Sequence, residues 1–169
     1  MIINYDELLE IRNKHKNDKI VIVKGTFDLF HIGHLNILKK AKSFGDILIV
    51  IVKCNEAVKL KGNDRPIIDE KDRANIIDSI KYTDYTLIAN KEFEIDEACE
   101  LNHNDKMQYK RYAKIIQDLK PDILVKIKNH KIPNVLLEVY RKNLVQIIEV
   151  DETEGISTTM LIKEIRNSN

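Results

Sequence analysis

The sequence predicts an α/β fold in which an open, mostly parallel sheet carries helices on both faces. Three observations predict it. Apolar runs suited to buried strands recur at 19–24, 46–52, 84–89, 122–127 and 144–150, and helical stretches near 33–43, 69–80, 105–119 and 133–142 separate them. The run Ile47-Leu48-Ile49-Val50-Ile51-Val52 shows no polar alternation, the pattern of a strand covered on both faces. Strands and helices also alternate along the chain, as a parallel sheet with helical crossovers requires. The expected architecture is Rossmann-like.

Taken in order, Asp6 to Lys16 reads as a short amphipathic helix with acids in its first turn and bases in its last, matching the helix dipole. Ile20-Val21-Ile22-Val23 is the first buried strand, and the chain turns after it into a helix that runs on toward Phe44. The least regular stretch is 91–108, polar with Phe93, Ile95, Leu101 and Met107 scattered through it; it reads as a surface excursion. A last helix covers 157–166. No repeat, linker or low-complexity stretch interrupts the 169 residues, so residues 1–169 are expected to form one domain. In such sheets ligands bind beyond the carboxyl ends of the strands, where connections part to opposite faces. That rule directs attention to residues 25–34.

Bulk properties exclude several function classes. Lysine plus arginine (28) nearly balance aspartate plus glutamate (27), so no global field draws in nucleic acid, and phosphate chemistry must rest on a local cluster. No run of about 18 apolar residues is present to span a membrane. The start, Met1-Ile2-Ile3-Asn4-Tyr5-Asp6-Glu7, lacks the basic-then-apolar layout of a secretion signal. Cys54 and Cys99 make neither a disulfide framework nor a metal site, and the expectation is two reduced thiols in a cytoplasmic protein.

The chemistry-bearing run is Gly25-Thr26-Phe27-Asp28-Leu29-Phe30-His31-Ile32-Gly33-His34. It sets two imidazoles at a strand-to-helix turn, where unpaired N–H groups and the helix dipole favour negative charge. Gly33 leaves room for a phosphate to approach the backbone. Such an arrangement suits charge stabilisation on a transferring phosphoryl group. Zinc is the rival reading of His-x-x-His, but it needs further ligands and neither cysteine falls at a sensible spacing, so no protein-held metal is expected. Near the other end, Gly155-Ile156-Ser157-Thr158-Thr159 leads into the last helix. Ser157 is a good N-cap, and Thr158 and Thr159 add hydroxyl donors; a purely structural cap and a phosphate site suit these residues alike.

Together these two motifs resemble the nucleotidyltransferase superfamily marked by His-x-Gly-His, the cytidylyltransferase-like group, whose second phosphate-binding motif is Ile-Ser-Thr-Thr or Cys-Ser-Thr-Thr at a helix start. The resemblance implies transfer of a nucleoside monophosphate from ATP or CTP to a phosphorylated small molecule, with release of pyrophosphate. It implies that His31 and His34 hydrogen-bond the α- and β-phosphates, that Thr26 and Phe27 offer backbone N–H groups beside Gly25, and that Ile156, Ser157 and Thr158 hold the β- and γ-phosphates. Asp28 would orient Lys61 or a histidine, or approach the metal. A third stretch, Lys59-Leu60-Lys61-Gly62-Asn63-Asp64-Arg65-Pro66 followed by Glu70-Lys71-Asp72-Arg73, resembles the heptose-1-phosphate adenylyltransferase branch, as does Pro121-Asp122-Ile123-Leu124-Val125-Lys126. By that resemblance Lys61 is catalytic, aimed at the triphosphate, and Arg73 lies near the nucleotide. Gly25-Thr26-Phe27-Asp28 and Thr153-Glu154-Gly155-Ile156-Ser157-Thr158-Thr159 are closer to the glycerol-3-phosphate cytidylyltransferases, and archaeal-type flavin adenylyltransferases share some of both. The choice between ATP and CTP stays open, as does a nucleotide-binding module without catalysis. Mg²⁺ is the implied cofactor, held mainly through the triphosphate. The resemblance also implies a homodimer working in the synthesis of surface polysaccharide or of a cofactor.

The chain departs from the family pattern at three places. Where these families continue with Gly-Gly-Asp or Gly-Asp-Asp, it reads Ile127-Lys128-Asn129-His130; the added charge of Lys126, Lys128 and His130 suits a more anionic acceptor and plain drift of a surface loop alike. Glu152 stands where the glycerol-phosphate enzymes carry arginine, an unfavourable neighbour for phosphate unless it turns away. Asn55 and Cys54 replace the usual Asp and Ser or Thr after the second strand.

Overall fold

A computed structural model of the chain describes residues 1–59, 65–89 and 113–168. It begins with the two-residue strand β1 (Ile2–Ile3), a 3₁₀ turn over Tyr5–Glu7 and helix α1 (Leu8–Lys14). Next come β2 (Ile20–Gly25), α2 (Ile32–Lys42), β3 (Ile47–Lys53), the short α3 (Asn55–Lys59), α4 (Glu70–Asp78) and β4 (Tyr85–Ala89). Helical residues 113–119 (α5), β5 (Ile123–Ile127), α6 (Asn134–Lys142), β6 (Gln146–Val150) and α7 (Thr158–Asn167) follow. The five strands read from apolar runs all form, with ends within two residues of expectation. β1 and α3 are additions, too short to carry a periodic pattern. The first helix begins later than expected, because Asp6 and Glu7 belong to the tighter 3₁₀ turn. Of the helix expected at 105–119, residues 105–112 lie outside the described residues, as do 91–108 and Cys99; Cys54 is a buried thiol. No helix among the described residues is long and apolar enough to cross a membrane.

The six strands lie parallel in the spatial order β1-β4-β3-β2-β5-β6. β2 is central. The chain leaves it toward β3 and β4 on one side and later returns to build β5 and β6 on the other, so the connections diverge at the carboxyl end of β2. Strand alternation divides the core in two. Ile20, Ile22, Ile49, Ile51 and Leu124 face Leu8, Ile116, Leu119, Leu136 and Tyr140 from α1, α5 and α6. Val21, Val23, Val50, Val52 and Val125 face Leu38, Ala41, Ala74 and Ile77 from α2 and α4. Leu48 to Val52 are wholly buried, as the unbroken apolar run requires.

Aspartates tie down the amino ends of the strands. Asp122 accepts from the Ile20 amide at 2.8 Å, Asp84 from Leu48 at 2.7 Å and Asp46 from Lys19 at 2.8 Å. These carboxylates satisfy backbone donors that would otherwise lack partners at the sheet's amino edge.

Candidate active site

The turn after β2 is strained. Phe27 and Leu29 have φ of 56° and 45°, left-handed values that cost non-glycine residues about 1–3 kcal/mol each. Three contacts hold them there. The buried Phe27 ring folds back over Gly25, where a Cβ would sit 2.8 Å from the ring, so only glycine fits. Arg73, wholly buried, donates from one terminal nitrogen to the Thr26 carbonyl at 2.6 Å and the Lys53 carbonyl at 2.8 Å, from Nε to the Ile68 carbonyl at 2.8 Å, and from its other terminal nitrogen to Asn55 Oδ1 at 2.8 Å. Asp28, also wholly buried, accepts from the amides of Ile67 and Ile68, each at 2.9 Å, and lies 3.6 Å from Arg65.

The histidines follow from the local geometry of a helix start. His31 is the N-cap of α2, in extended conformation, and His34 is its third helical residue. The Gly33 amide donates to His31 Nδ1 at 3.1 Å, and the His31 amide donates to His34 Nδ1 at 3.4 Å, the reciprocal arrangement of a capping box. The two rings stack, with centroids 3.9 Å apart, and Phe27 meets His34 edge-on at 5.4 Å. Because each Nδ1 accepts, each neutral ring carries its proton on Nε2. Burial, and then the neighbouring His31, pushes His34 down to about 4, against the pull of Asp28. Burial also lowers His31, opposed by Glu152. Both rings are therefore neutral N–H donors near neutral pH. Gly33 acts here through packing: a Cβ would stand 3.0 Å from the His31 ring.

The far end of the sequence closes on this turn. Ser157 caps α7, its hydroxyl accepting from the Met160 amide at 3.2 Å. Thr158 Oγ1 donates to the Asp28 carbonyl at 2.9 Å, Asn36 Nδ2 donates to Thr153 Oγ1 at 3.1 Å, and Arg65 donates to Thr159 Oγ1 at 3.0 Å. The amino ends of α2 and α7 thus open on one cavity of about 800 Å³, whose walls include Gly25, Thr26, Phe27, His31, Gly33, His34, Ile156, Ser157 and Thr158. Such a space, edged by helix N-termini and N–H donors, suits a polyanion.

Not every expected residue reaches it. Asp28 and Arg73 lie beneath the wall, their polar atoms spent on the turn and on residues 67–68, so both brace the site instead of facing a nucleotide. Lys61 lies outside the described residues. The basic loop also divides. Lys126 donates to the carbonyls of Lys128 and His130 at 3.0 and 2.9 Å and pairs with Glu149 at 2.6 Å, while Lys128 turns to Asp151 at 2.7 Å, away from the cavity. Its pairing with Asp151 raises the Lys128 ammonium, but that charge sits at the surface. His130 and the neighbouring Lys131 do line the cavity, and so does Glu152, which does not turn away.

Lys24, Lys53 and Arg65 also line the cavity and were not singled out from the sequence. The signal was present. Three central strands, Ile20-Val21-Ile22-Val23-Lys24, Ile47-Leu48-Ile49-Val50-Ile51-Val52-Lys53 and Ile123-Leu124-Val125-Lys126, each place a lysine at the carboxyl edge. Asn55 also has a reason to be an amide: Nδ2 donates to Asp69 at 2.6 Å while Oδ1 accepts from Arg73, a pairing an aspartate could not make.

Comparison with known proteins agrees with this geometry. The cytidylyltransferase-like family profile matches residues 22–164. The bifunctional protein HldE of a Helicobacter pylori strain is 38% identical over 168 residues, covering 99% of this chain and 32% of that protein. HldE of a Nitratiruptor species is 38% identical over 165 residues, covering 95% of this chain and 31% of that protein. The chain thus spans about a third of the length of these relatives. Among solved structures, a lipopolysaccharide core biosynthesis protein from Thermoplasma volcanium shares the fold at a TM-score of 0.59 and 24% identity, covering 81% of this chain and 99% of that one. Pantoate-beta-alanine ligase from Francisella tularensis shares it at 0.62 and 20% identity, over 99% of this chain and 77% of that one. With the profile spanning most of the sheet and both ends of the cavity, the chain belongs to the cytidylyltransferase-like family.

Proposed function

We propose that this domain transfers the adenylyl group of ATP to the phosphate of a sugar phosphate of the heptose-1-phosphate type. An acceptor phosphate oxygen attacks the α-phosphorus in line, the bond to the β-phosphate breaks, and pyrophosphate leaves with the electron pair. The acceptor is already anionic, so the reaction needs no covalent nucleophile, and catalysis is positioning plus charge stabilisation. The observation that carries this reading is the convergence of the imidazole pair and the α7 N-terminus on one cavity. The choice of ATP and of a heptose-type acceptor is supported by the HldE relatives and by the Lys59–Pro66 and Pro121–Lys126 stretches.

In this mechanism the Nε2–H groups of His31 and His34 donate to the α- and β-phosphates and gain strength as charge builds on them. The amino end of α7, shaped by Ser157 and Thr158, receives the β- and γ-phosphates. Lys61 is assigned to the departing pyrophosphate. Mg²⁺, bound with the triphosphate, would neutralise phosphate charge. Glu152, on the cavity wall, is a carboxylate that would help to hold it.

The test is pyrophosphate release from ATP and CTP in turn, each with heptose-1-phosphate, glycerol-3-phosphate and flavin mononucleotide. Release with ATP and heptose-1-phosphate is expected. Release only with CTP and glycerol-3-phosphate, or only with flavin mononucleotide, overturns the substrate assignment, and tight ATP binding without release in any combination overturns the catalytic one. In the same assay Lys128→Ala should leave the acceptor KM within about twofold, because an exposed pair contributes little. A larger change would return Lys128 to the site.

A further inference from the structure

The three strand-end lysines share one face of the sheet. By alternation Lys24 follows Ile20 and Ile22, Lys53 follows Ile49 and Ile51, and Lys126 follows Leu124, all on the side covered by α5 and α6. The Lys24 ammonium lies 5.9 Å from the ring centre of Tyr140 on α6, which places it on that side. The imidazole pair belongs to the other face, where His34 meets Phe27 and α2 packs through Leu38 and Ala41. The cavity runs across the carboxyl edge and takes in both: Phe27 and Ile37 on one face, Ile132 and Leu136 on the other.

Register brings the lysines together. One step beyond the Val23–Val125 pair, Lys24 stands beside Lys126; one step beyond the Gly25–Val52 pair, Lys53 stands beside Thr26. Lys126 is committed to Glu149 and to the loop carbonyls. Lys24 and Lys53 are both half-buried on the cavity wall, and burial together with the Lys53 charge brings the Lys24 ammonium down to about 8. Two ammonium groups on one wall of a partly dry cavity favour an anion placed against that wall.

Resting on the nucleotidyl-transfer reading, we propose that Lys24 and Lys53 form a second anion subsite, across the sheet from the imidazole pair, that takes an anionic group of the acceptor. The triphosphate occupies the α2 and α7 side; the acceptor approaches over β2 and β3 from the α6 side. The group held is either the attacking phosphate or a second anionic substituent of the same molecule.

Lys24→Met and Lys53→Met keep the stem and remove the charge. With the chain saturated by α,β-methylene-ATP, inorganic phosphate should bind, and each variant should weaken it by about tenfold or more while the analogue's affinity stays within about twofold. Lys24→Arg should keep phosphate affinity, a result that separates charge from packing. The proposal is overturned if phosphate fails to bind the wild-type complex, if both Met variants bind it like wild type, if the analogue weakens equally, or if Lys24→Arg loses as much as Lys24→Met. Steady-state rates with hexose 1-phosphate and hexose 1,6-bisphosphate identify the group. An equal rise in both KM values marks the attacking phosphate, a rise confined to the bisphosphate marks the second substituent, and no rise in either overturns the subsite. Lysine-dependent phosphate binding without pyrophosphate release from any acceptor would overturn the transfer reading and leave the subsite standing.

Discussion

His34→Ala is expected to lower turnover by about 10²–10³-fold while the fold stays intact, the loss typical of removing one preorganised donor to a developing charge. The ring is fixed on three sides: its Nδ1 accepts from the His31 amide, one face stacks on His31, and Phe27 abuts it. Alanine removes the donor and also lets the His31 ring drift. The loss should fall mainly on kcat, with a smaller change in the KM for the nucleoside triphosphate, because the hydrogen bond strengthens as the transition state forms. His34→Asn, which restores an N–H donor, should recover part of the rate. Wild-type turnover in His34→Ala would remove the histidine from the mechanism. The same residue gives a signature in acid. Its ordinary value is 6.5 and the folded protein pushes it down to about 4, so between those values the unfolded chain binds the proton first. Stability contributed by the neutral ring is therefore present above about 6.5 and lost as pH falls toward about 4. Denaturant titrations across that window should show the slope in wild type and a shallower one in His34→Asn.

Arg73→Met should destabilise the protein by about 3–5 kcal/mol, the cost of breaking a buried charged network from one side. The guanidinium satisfies the carbonyls of Thr26, Lys53 and Ile68 and the side chain of Asn55 at once, and no part of it is exposed. Methionine fills much of the volume but leaves those acceptors buried and unpaired. Lysine should rescue little, since one ammonium cannot span the same fork of acceptors. The Thr26 carbonyl sits at the start of the left-handed Phe27–Leu29 turn, so loss of Arg73 also releases strain that sets the histidines. Activity should then fall even at temperatures where the variant remains folded. A loss below about 1 kcal/mol by urea titration would show that the turn holds itself.

How much of this was legible in the sequence depended on whether a residue's role is local. The strands were, because unbroken Val and Ile runs have few other uses. The His-x-Gly-His spacing was too: N-cap and third helical position are three residues apart, and a glycine between them leaves room for the first ring. Asp28 and Arg73 were placed among the site residues, but their work is long-range. Asp28 meets residues 67–68, and Arg73 joins the ends of β2 and β3, pairings that no local period encodes. Lys24 and Lys53 were passed over because each ends a different strand and they become neighbours only once the register is set.

The Thr158–Asp28 hydrogen bond joins positions 130 residues apart. During synthesis the histidine turn emerges early and waits, without its hydroxyl-bearing counterpart, until nearly the whole domain has been made. A nascent or truncated copy would carry donors for a polyphosphate but no complete cradle for one. Assembly of the cavity is in this way coupled to synthesis of the α7 segment, and a copy that stops before it has only half of the walls.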